Sequence, residues 1–148
     1  MIRGPVLVVD DYGTMRRILR NLLEQIGFPD SDEAPDGNAA WEKLQVTPFG
    51  LVIADLHMEP MSGIDLLRKV RADLRTQDVP FIMVTAERNI DNVVAAKEAG
   101  VDNYIIKPFN GEALRRKIDA ALGVAKERQA ARATATATPN DTPAAAAE

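Results

Sequence analysis

Short, continuously apolar runs recur along the chain, and each is followed by a segment whose apolar residues have helical spacing. The runs Pro5–Asp10, Leu51–Ala54 and Pro80–Thr85 are typical of strands buried on both faces of a sheet. Asn103–Lys107 is a further predicted strand, and Ser31–Ala34 is a weaker candidate. We therefore predict five strands that alternate with helices.

The segments between these strands carry apolar residues three and four positions apart, as amphipathic helices do. For the first helix, Gly13 or Thr14 is a reasonable cap and Gly27 a reasonable stop. The helices are predicted to begin near Gly13, Ala39, Ile64, Ile90 and Gly111, and the third carries a stripe of Ile64, Leu67, Val70 and Leu74. Strands alternating with helices favour an α/β fold, in which a parallel sheet has helices on both faces.

Composition changes after Gly123 and divides the chain of 148 residues. Residues 1–123 form the predicted α/β domain. Residues 124–133 contain good helix formers but few large apolar anchors, so we predict a basic helical extension. Residues 134–148 contain only Ala, Thr, Pro, Asn, Asp and Glu, and such a segment buries too little apolar surface to offset its chain entropy. We predict that this tail is disordered.

Charge and residue usage exclude several classes of function. The net charge of -4 argues against DNA binding, and no apolar run is long enough to span a membrane, so we expect a cytoplasmic protein. The chain has no cysteine, which excludes disulfides and thiolate chemistry. His57 is the single histidine, which excludes a multi-histidine zinc site.

Polar residues stand where the predicted strands end. They are Asp10 and Asp11 after the first strand, Asp55 after the third, Thr85 at the end of the fourth and Lys107 at the end of the fifth. The carboxyl ends of parallel strands share one edge of the sheet, which is where ligands bind in open α/β folds. Three carboxylates placed together repel one another and call for a cation, and all-oxygen ligands select a hard ion such as Mg²⁺.

This set of groups suits phosphoryl transfer. A carboxylate beside Mg²⁺ is able to attack phosphorus, while a metal, an ammonium and a hydroxyl stabilise the charge on the transferred group. Each residue alone has an ordinary explanation, since Asp favours turns, Thr85 is a suitable helix cap and Lys107 a suitable surface charge. Their joint occurrence at separate strand ends favours a functional site.

Five separated motifs together resemble the signature of response-regulator receiver domains. They are Val9-Asp-Asp11, Asp55, Met58–Gly63, Val84-Thr-Ala86 and Lys107-Pro-Phe109, and the resemblance covers about residues 5–122. The run Tyr104–Phe109 is similar to that of the CheY-like, single-domain regulators of the chemotaxis type. The resemblance implies a flavodoxin-like (βα)5 fold, doubly wound around a parallel sheet of strand order 2-1-3-4-5.

The resemblance also implies a role for each strand-end residue. Asp55 would accept phosphate from a sensor histidine kinase, and Lys107 would pair with the phosphoryl group. Mg²⁺ would be held by Asp10, Asp11, Asp55 and the backbone carbonyl of His57. Thr85 and Tyr104 would change position when Asp55 is phosphorylated, and the Lys107–Pro108 peptide would be cis. Such a protein catalyses only its own phosphoryl transfer and autodephosphorylation, so it is not an enzyme in the usual sense.

Relatives carry the signal on the face formed by the fourth helix, the fifth strand and the fifth helix. The candidates on this face are Lys97, Asn103, Tyr104, Arg115 and Arg116. The resemblance implies a monomer in a two-component phosphorelay, whose output partner is a protein such as the flagellar motor switch. A cell-cycle adaptor and a phosphate sink remain open as alternatives.

Two departures from the family pattern lie beside Asp55. Glu59 separates Met58 from Pro60, where the family usually has Met-Pro, and we expect this difference to change the shape of the loop. His57 occupies a position that is often a small polar residue, and it is either a solvated loop residue or an influence on phosphoryl lifetime.

Two rival functions are weighed against the receiver. Arg128 and Arg132 are four residues apart on one helical face, so they are candidates for binding cyclic di-GMP, as in some CheY-like proteins, or for a solvated helix end. A phosphatase of the haloacid dehalogenase type is disfavoured, because it would need a second Asp at position 57, where this chain has His57.

Overall fold

Five parallel strands form a single sheet in the order β2-β1-β3-β4-β5 in the computed structural model, which describes residues 4–86 and 90–137. The strands are β1 Val6–Val9, β2 Ser31–Ala34, β3 Leu51–Asp55, β4 Phe81–Thr85 and β5 Asn103–Ile106. The helices are α1 Gly13–Gln25, α2 Gly37–Val46, α3 Gly63–Ala72, α4 Ile90–Ala99 and α5 Gly111–Ala137. The predicted α/β class and strand order are confirmed.

The core has two layers because successive side chains of a strand point to opposite faces. Leu7 and Val9 lie in one buried cluster with residues from α2, α3 and α4. Val6 and Val8 lie in the other, together with Leu19 of α1 and residues of α5. The helices therefore cover both faces of the sheet, which explains why the strands read as continuous apolar runs.

Two details of the predicted helices are wrong. Neither Gly13 nor Thr14 caps α1, since its N-cap is Tyr12, which makes no side-chain capping hydrogen bond. Leu74 does not belong to the buried stripe of α3, because the helix ends at Ala72 and the Leu74 side chain is 84% exposed. The backbone leaves helical geometry at Asp73, so spacing counted beyond that point no longer describes a helix face.

The last helix is longer than its apolar stripe. Its inward positions are first Leu114, Ile118, Ala121 and Ala125, and then the half-buried Arg128 and Arg132. The helix passes through Gly123 without a break and continues to Ala137, so residues 134–137, predicted to be disordered, are helical. Alanine is the strongest helix former and makes up half of those four residues. Residues 138–148, the rest of the predicted tail, lie outside the described residues.

None of the described helices combines the length and the apolar character needed to cross a bilayer.

Candidate functional site

The ends of four neighbouring strands place the predicted site residues along one rim of the sheet. Asp10 follows β1, Asp55 and Thr85 are the last residues of β3 and β4, and Lys107 follows β5. The strands are in parallel register, with Val9 opposite Ala54 and Asp55 opposite Val84, so their ends lie at the same level.

Three carboxylates meet at this rim. Asp10, Asp11 and Asp55 each offer one ligand oxygen, and these oxygens all lie within 4.8 Å of one another. Asp10 and Asp55 are buried and Asp11 is exposed, so the group opens toward solvent on one side. The three acids that were predicted to share a site are therefore brought together.

The Asp55 carboxylate is held by two donors from different parts of the chain. The ammonium of Lys107 lies 3.1 Å from its Oδ1, and the backbone N–H of His57 donates to its Oδ2 at 3.2 Å. The same ammonium lies 3.8 Å from Asp10 Oδ2. Lys107 is thus an internal cation shared by two acids, and its side chain is only 23% exposed.

Asp10 has one oxygen with no hydrogen-bond donor. Its Oδ1 accepts from the N–H of Tyr12 at 2.9 Å, whereas within the described part of the chain its buried Oδ2 accepts no hydrogen bond. Burial is the main cause that raises the pKa of Asp10 above its ordinary value, and the charge of Asp55 acts in the same direction. A buried carboxylate oxygen without a donor is costly unless a cation binds it.

These residues fit a hard divalent cation. The donors are carboxylate oxygens, and the three acids outnumber the one ammonium beside them. Mg²⁺ is commonly bound by one or two carboxylates with water and phosphate oxygens completing its shell. Asp10 Oδ2, which has no hydrogen-bond donor among the described residues and lies 3.8 Å from the Lys107 ammonium, is a suitable ligand for such an ion.

Thr85 and Tyr104 lie on the adjacent strands β4 and β5, with Thr85 at the rim and Tyr104 opposite Met83. Thr85 is buried, and its carbonyl accepts the backbone N–H of Lys107 at 2.8 Å. The half-buried Tyr104 ring packs against one core cluster, and the ammonium of Lys117 on α5 lies 5.3 Å from the ring centroid. The two predicted switch residues are thus joined through the β4–β5 pair to the site and to α5.

The loop after Asp55 contains both departures from the family pattern. His57 is exposed, and the Glu59–Pro60 peptide is cis. The Lys107–Pro108 peptide is also cis, which confirms that expectation. The loop returns to the site at Gly63, where a Cβ would overlap the carbonyl oxygen of Asp55 and the sulfur of Met83.

A model of the response regulator receiver domain matches residues 6–119. The chain belongs to this receiver family. The match spans every strand and all the carboxylates of the rim. Receiver domains are signalling proteins and not classical enzymes, so the hypothesis of a phosphatase of the haloacid dehalogenase type is not supported.

Chemotaxis proteins are among the most similar curated relatives of this receiver. It is 46% identical over 114 residues to the chemotaxis protein CheY of Pseudomonas aeruginosa, an alignment covering 77% of this chain and 92% of that protein. It is 46% identical over 119 residues to CheY1 of Helicobacter pylori, covering 80% of this chain and 96% of the relative.

Solved structures give the same family. The chemotaxis protein CheY4 of Vibrio cholerae is similar with a TM-score of 0.75 and 29% identity, covering 80% of this chain and 98% of that structure. A CheY-like receiver domain of Methanospirillum hungatei has a TM-score of 0.75 and 28% identity, covering 84% and 98%.

The two arginines proposed for a nucleotide lie at the opposite edge of the sheet. Arg128 forms an ion pair with Asp102, just before β5, and donates to the carbonyl of Asp78 at 3.0 Å; Arg132 pairs with the Asp78 carboxylate. Asp102 also binds Arg71 at 2.9 Å. Burial is the main cause that lowers the pKa of Arg71, to about 10, and the charge of Asp102 opposes that shift.

Two networks of ion pairs among the described residues were not predicted from the sequence. One joins Arg71, Asp102 and Arg128 at the amino-terminal edge, and the other joins Glu33 of β2 to Arg16 and Arg20 of α1. The signal for the second was a glutamate inside a strand together with arginines four residues apart on the preceding helix. Nothing local marks Asp102 as buried, because its partners are 31 and 26 residues away.

Proposed function

We propose that this protein is a single-domain response regulator, which accepts a phosphoryl group on Asp55 from a sensor histidine kinase and thereby alters a protein-binding face. The observation that carries the proposal is the grouping of Asp55, Asp10, Asp11 and Lys107 at one rim. Nothing in this function needs a second substrate pocket, because the donor protein presents its own phosphohistidine.

In the transfer, a carboxylate oxygen of Asp55 attacks phosphorus and forms an acyl phosphate, while the phosphorus–nitrogen bond breaks and its electron pair stays on the imidazole. Lys107, 3.1 Å from the Asp55 carboxylate, is placed to pair with the transferred oxygens. Asp10 and Asp11 would hold Mg²⁺ with Asp55 and the His57 carbonyl. When bound, the ion supplies positive charge to the phosphoryl oxygens.

The covalent change would reach the surface through Thr85 and Tyr104. Phosphorylated Asp55 offers new acceptor oxygens to the Thr85 hydroxyl, and movement of Thr85 changes the space available to the Tyr104 ring. The Lys117 ammonium lies over the Tyr104 ring, and the Asn103 side chain donates to the Lys117 carbonyl at 3.2 Å. A change in Tyr104 would therefore be transmitted directly to α5.

The output face formed by α4, β5 and α5 is suited to an acidic partner. Lys97, Arg115 and Arg116 are exposed on it. Arg116 forms an exposed ion pair with Glu112 at 3.6 Å. Because the curated relatives are chemotaxis proteins, we propose a motility output such as the flagellar motor switch. The phosphorelay would then control a population shift between two states of this face.

The proposal is tested by intact mass after incubation with a small acyl phosphate. The unaltered chain should gain the mass of one phosphoryl group in the presence of Mg²⁺ and none when Mg²⁺ is chelated. Asp55→Asn should gain none, because an amide is not a nucleophile toward phosphorus. The matched control is Asp65→Asn on α3, whose carboxylate is 58% exposed and lies outside the acidic cluster.

Cyclic di-GMP binding remains a prediction, and the ion pairs of the two arginines oppose it. Arg128 and Arg132 already pair with Asp102 and Asp78, so a nucleotide would have to displace those carboxylates. Calorimetry with cyclic di-GMP decides the matter, since heat from the full chain that is lost in Arg128→Ala would support this function. No heat from the full chain would reject it.

A further inference from the structure

The main chain of Asp10 is fixed from both sides, although its Oδ2 has no hydrogen-bond donor among the described residues. Its N–H donates to the carbonyl of Ala34 on β2 at 3.2 Å, and its carbonyl accepts from the Nη1 of Arg16 at 2.6 Å. With Tyr12 N–H on Oδ1, three of the four polar groups of Asp10 are bound. The remaining oxygen is the one that faces Lys107.

Arg16 is itself held in place by a strand. Its Nε donates to Oε1 of Glu33 at 2.5 Å, and the other oxygen of Glu33 accepts from Arg20 at 2.6 Å. The hydrogen bond from Arg16 is the main cause that lowers the pKa of Glu33. The Arg16 side chain is only 19% exposed. Its planar guanidinium bridges Glu33 of β2 and the carbonyl of Asp10, which follows β1.

We propose that Arg16, oriented by Glu33, is a positioning residue for the metal site. It fixes the Asp10 backbone so that the free carboxylate oxygen points into the acidic cluster. The inference rests on the proposed function, since it concerns binding of Mg²⁺ at that cluster.

Charge alone predicts the opposite effect, which makes the proposal decidable. A guanidinium beside a cation site repels the cation, so its removal would tighten Mg²⁺ binding if electrostatics dominated. If positioning dominates, removal releases the Asp10 backbone and weakens binding, and changes to groups that orient metal ligands typically cost tenfold or more in affinity.

The experiment is calorimetric titration of the full chain with Mg²⁺ alone. Arg16→Ala should bind Mg²⁺ about tenfold more weakly than the unaltered chain. Arg16→Lys should also bind weakly, because one ammonium cannot reproduce the planar fork that reaches both Glu33 and the Asp10 carbonyl. Thermal unfolding of each variant without Mg²⁺ reports whether it is folded.

The matched control is Arg20→Ala. Arg20 shares Glu33, but within the described part of the chain its hydrogen bonds all go to Ser31 and Glu33 of β2 and not to Asp10, so Mg²⁺ affinity should be unchanged. Unchanged or tighter binding by Arg16→Ala, or an equal loss in Arg20→Ala, would overturn the inference alone. If the unaltered chain bound no Mg²⁺, the proposed metal site and this inference would fail together.

Discussion

At the scale of single residues, the site depends on carboxylates that fixed contacts hold in place. Asp55 is pinned between Lys107 and the N–H of His57, and Asp10 between Tyr12 and Arg16. A carboxylate held in this way loses little freedom when an ion or a phosphoryl group arrives.

Close packing behind Asp55 predicts a large effect of one methyl group. Gly63→Ala should lower the free energy of unfolding by about 1–3 kcal/mol, because its Cβ would overlap the Asp55 carbonyl oxygen and the Met83 sulfur. The measurement is urea unfolding followed by circular dichroism.

Gly123→Ala is the control for this substitution. Gly123 is exposed in α5, and no atom of the described residues lies within 4 Å of an added Cβ, so the change should stabilise the protein by about 1 kcal/mol through helix propensity. Equal stability of the Gly63→Ala variant and the unaltered chain would contradict the packing argument.

The acids, the hydroxyl and the lysine of the site could be predicted because strand ends in a parallel sheet share an edge. Arg16 could not, since its role depends on a side chain of α1 reaching the Asp10 carbonyl after β2 has placed Glu33 beside it. Such a contact is set by tertiary placement, which spacing along the sequence does not encode.

At the scale of elements, α5 has two parts with different packing. Its first part is held by buried apolar residues such as Leu114 and Ile118, and its second part by Arg128 on Asp102 and Asp78. The sequence signal for a boundary, the loss of large apolar residues after Gly123, marks a change in the type of contact and not the end of the helix.

Removal of Arg128 should therefore destabilise the protein. Arg128→Ala should cost about 1–3 kcal/mol of unfolding free energy, because hydrogen bonds to the buried Asp102 carboxylate and the Asp78 carbonyl are lost. Hydrogen exchange of the full chain should show that the amides of residues 124–137 lose more protection than those of the first part of α5.

Arg116→Ala supplies the comparison on the same helix. Its ion pair with Glu112 is exposed at both ends, so the change should stay within about 0.5 kcal/mol. An equally small loss of unfolding free energy in Arg128→Ala and Arg116→Ala would contradict a structural role for the Arg128 ion pair.

At the scale of the whole molecule, the sheet separates two charged regions. The acidic cluster lies at the carboxyl ends of the strands, and the ion pairs of Asp78 and Asp102 lie at their amino ends. The fold class was predictable from the alternation of strands and helices, and the strand order from the family resemblance. The path of the chain beyond Leu122 was less predictable, because long-range ion pairs replace the apolar pattern there.

The most direct test of the central claim identifies the residue that carries the phosphoryl group. The chain is treated with a small acyl phosphate and Mg²⁺, the acyl phosphate on the protein is reduced with borohydride, and peptides are sequenced by mass spectrometry. If Asp55 is the phosphoryl acceptor, reduction converts Asp55, and no other residue, to homoserine. Modification of Asp10 or Asp11 instead, or of no aspartate at all, would contradict that assignment.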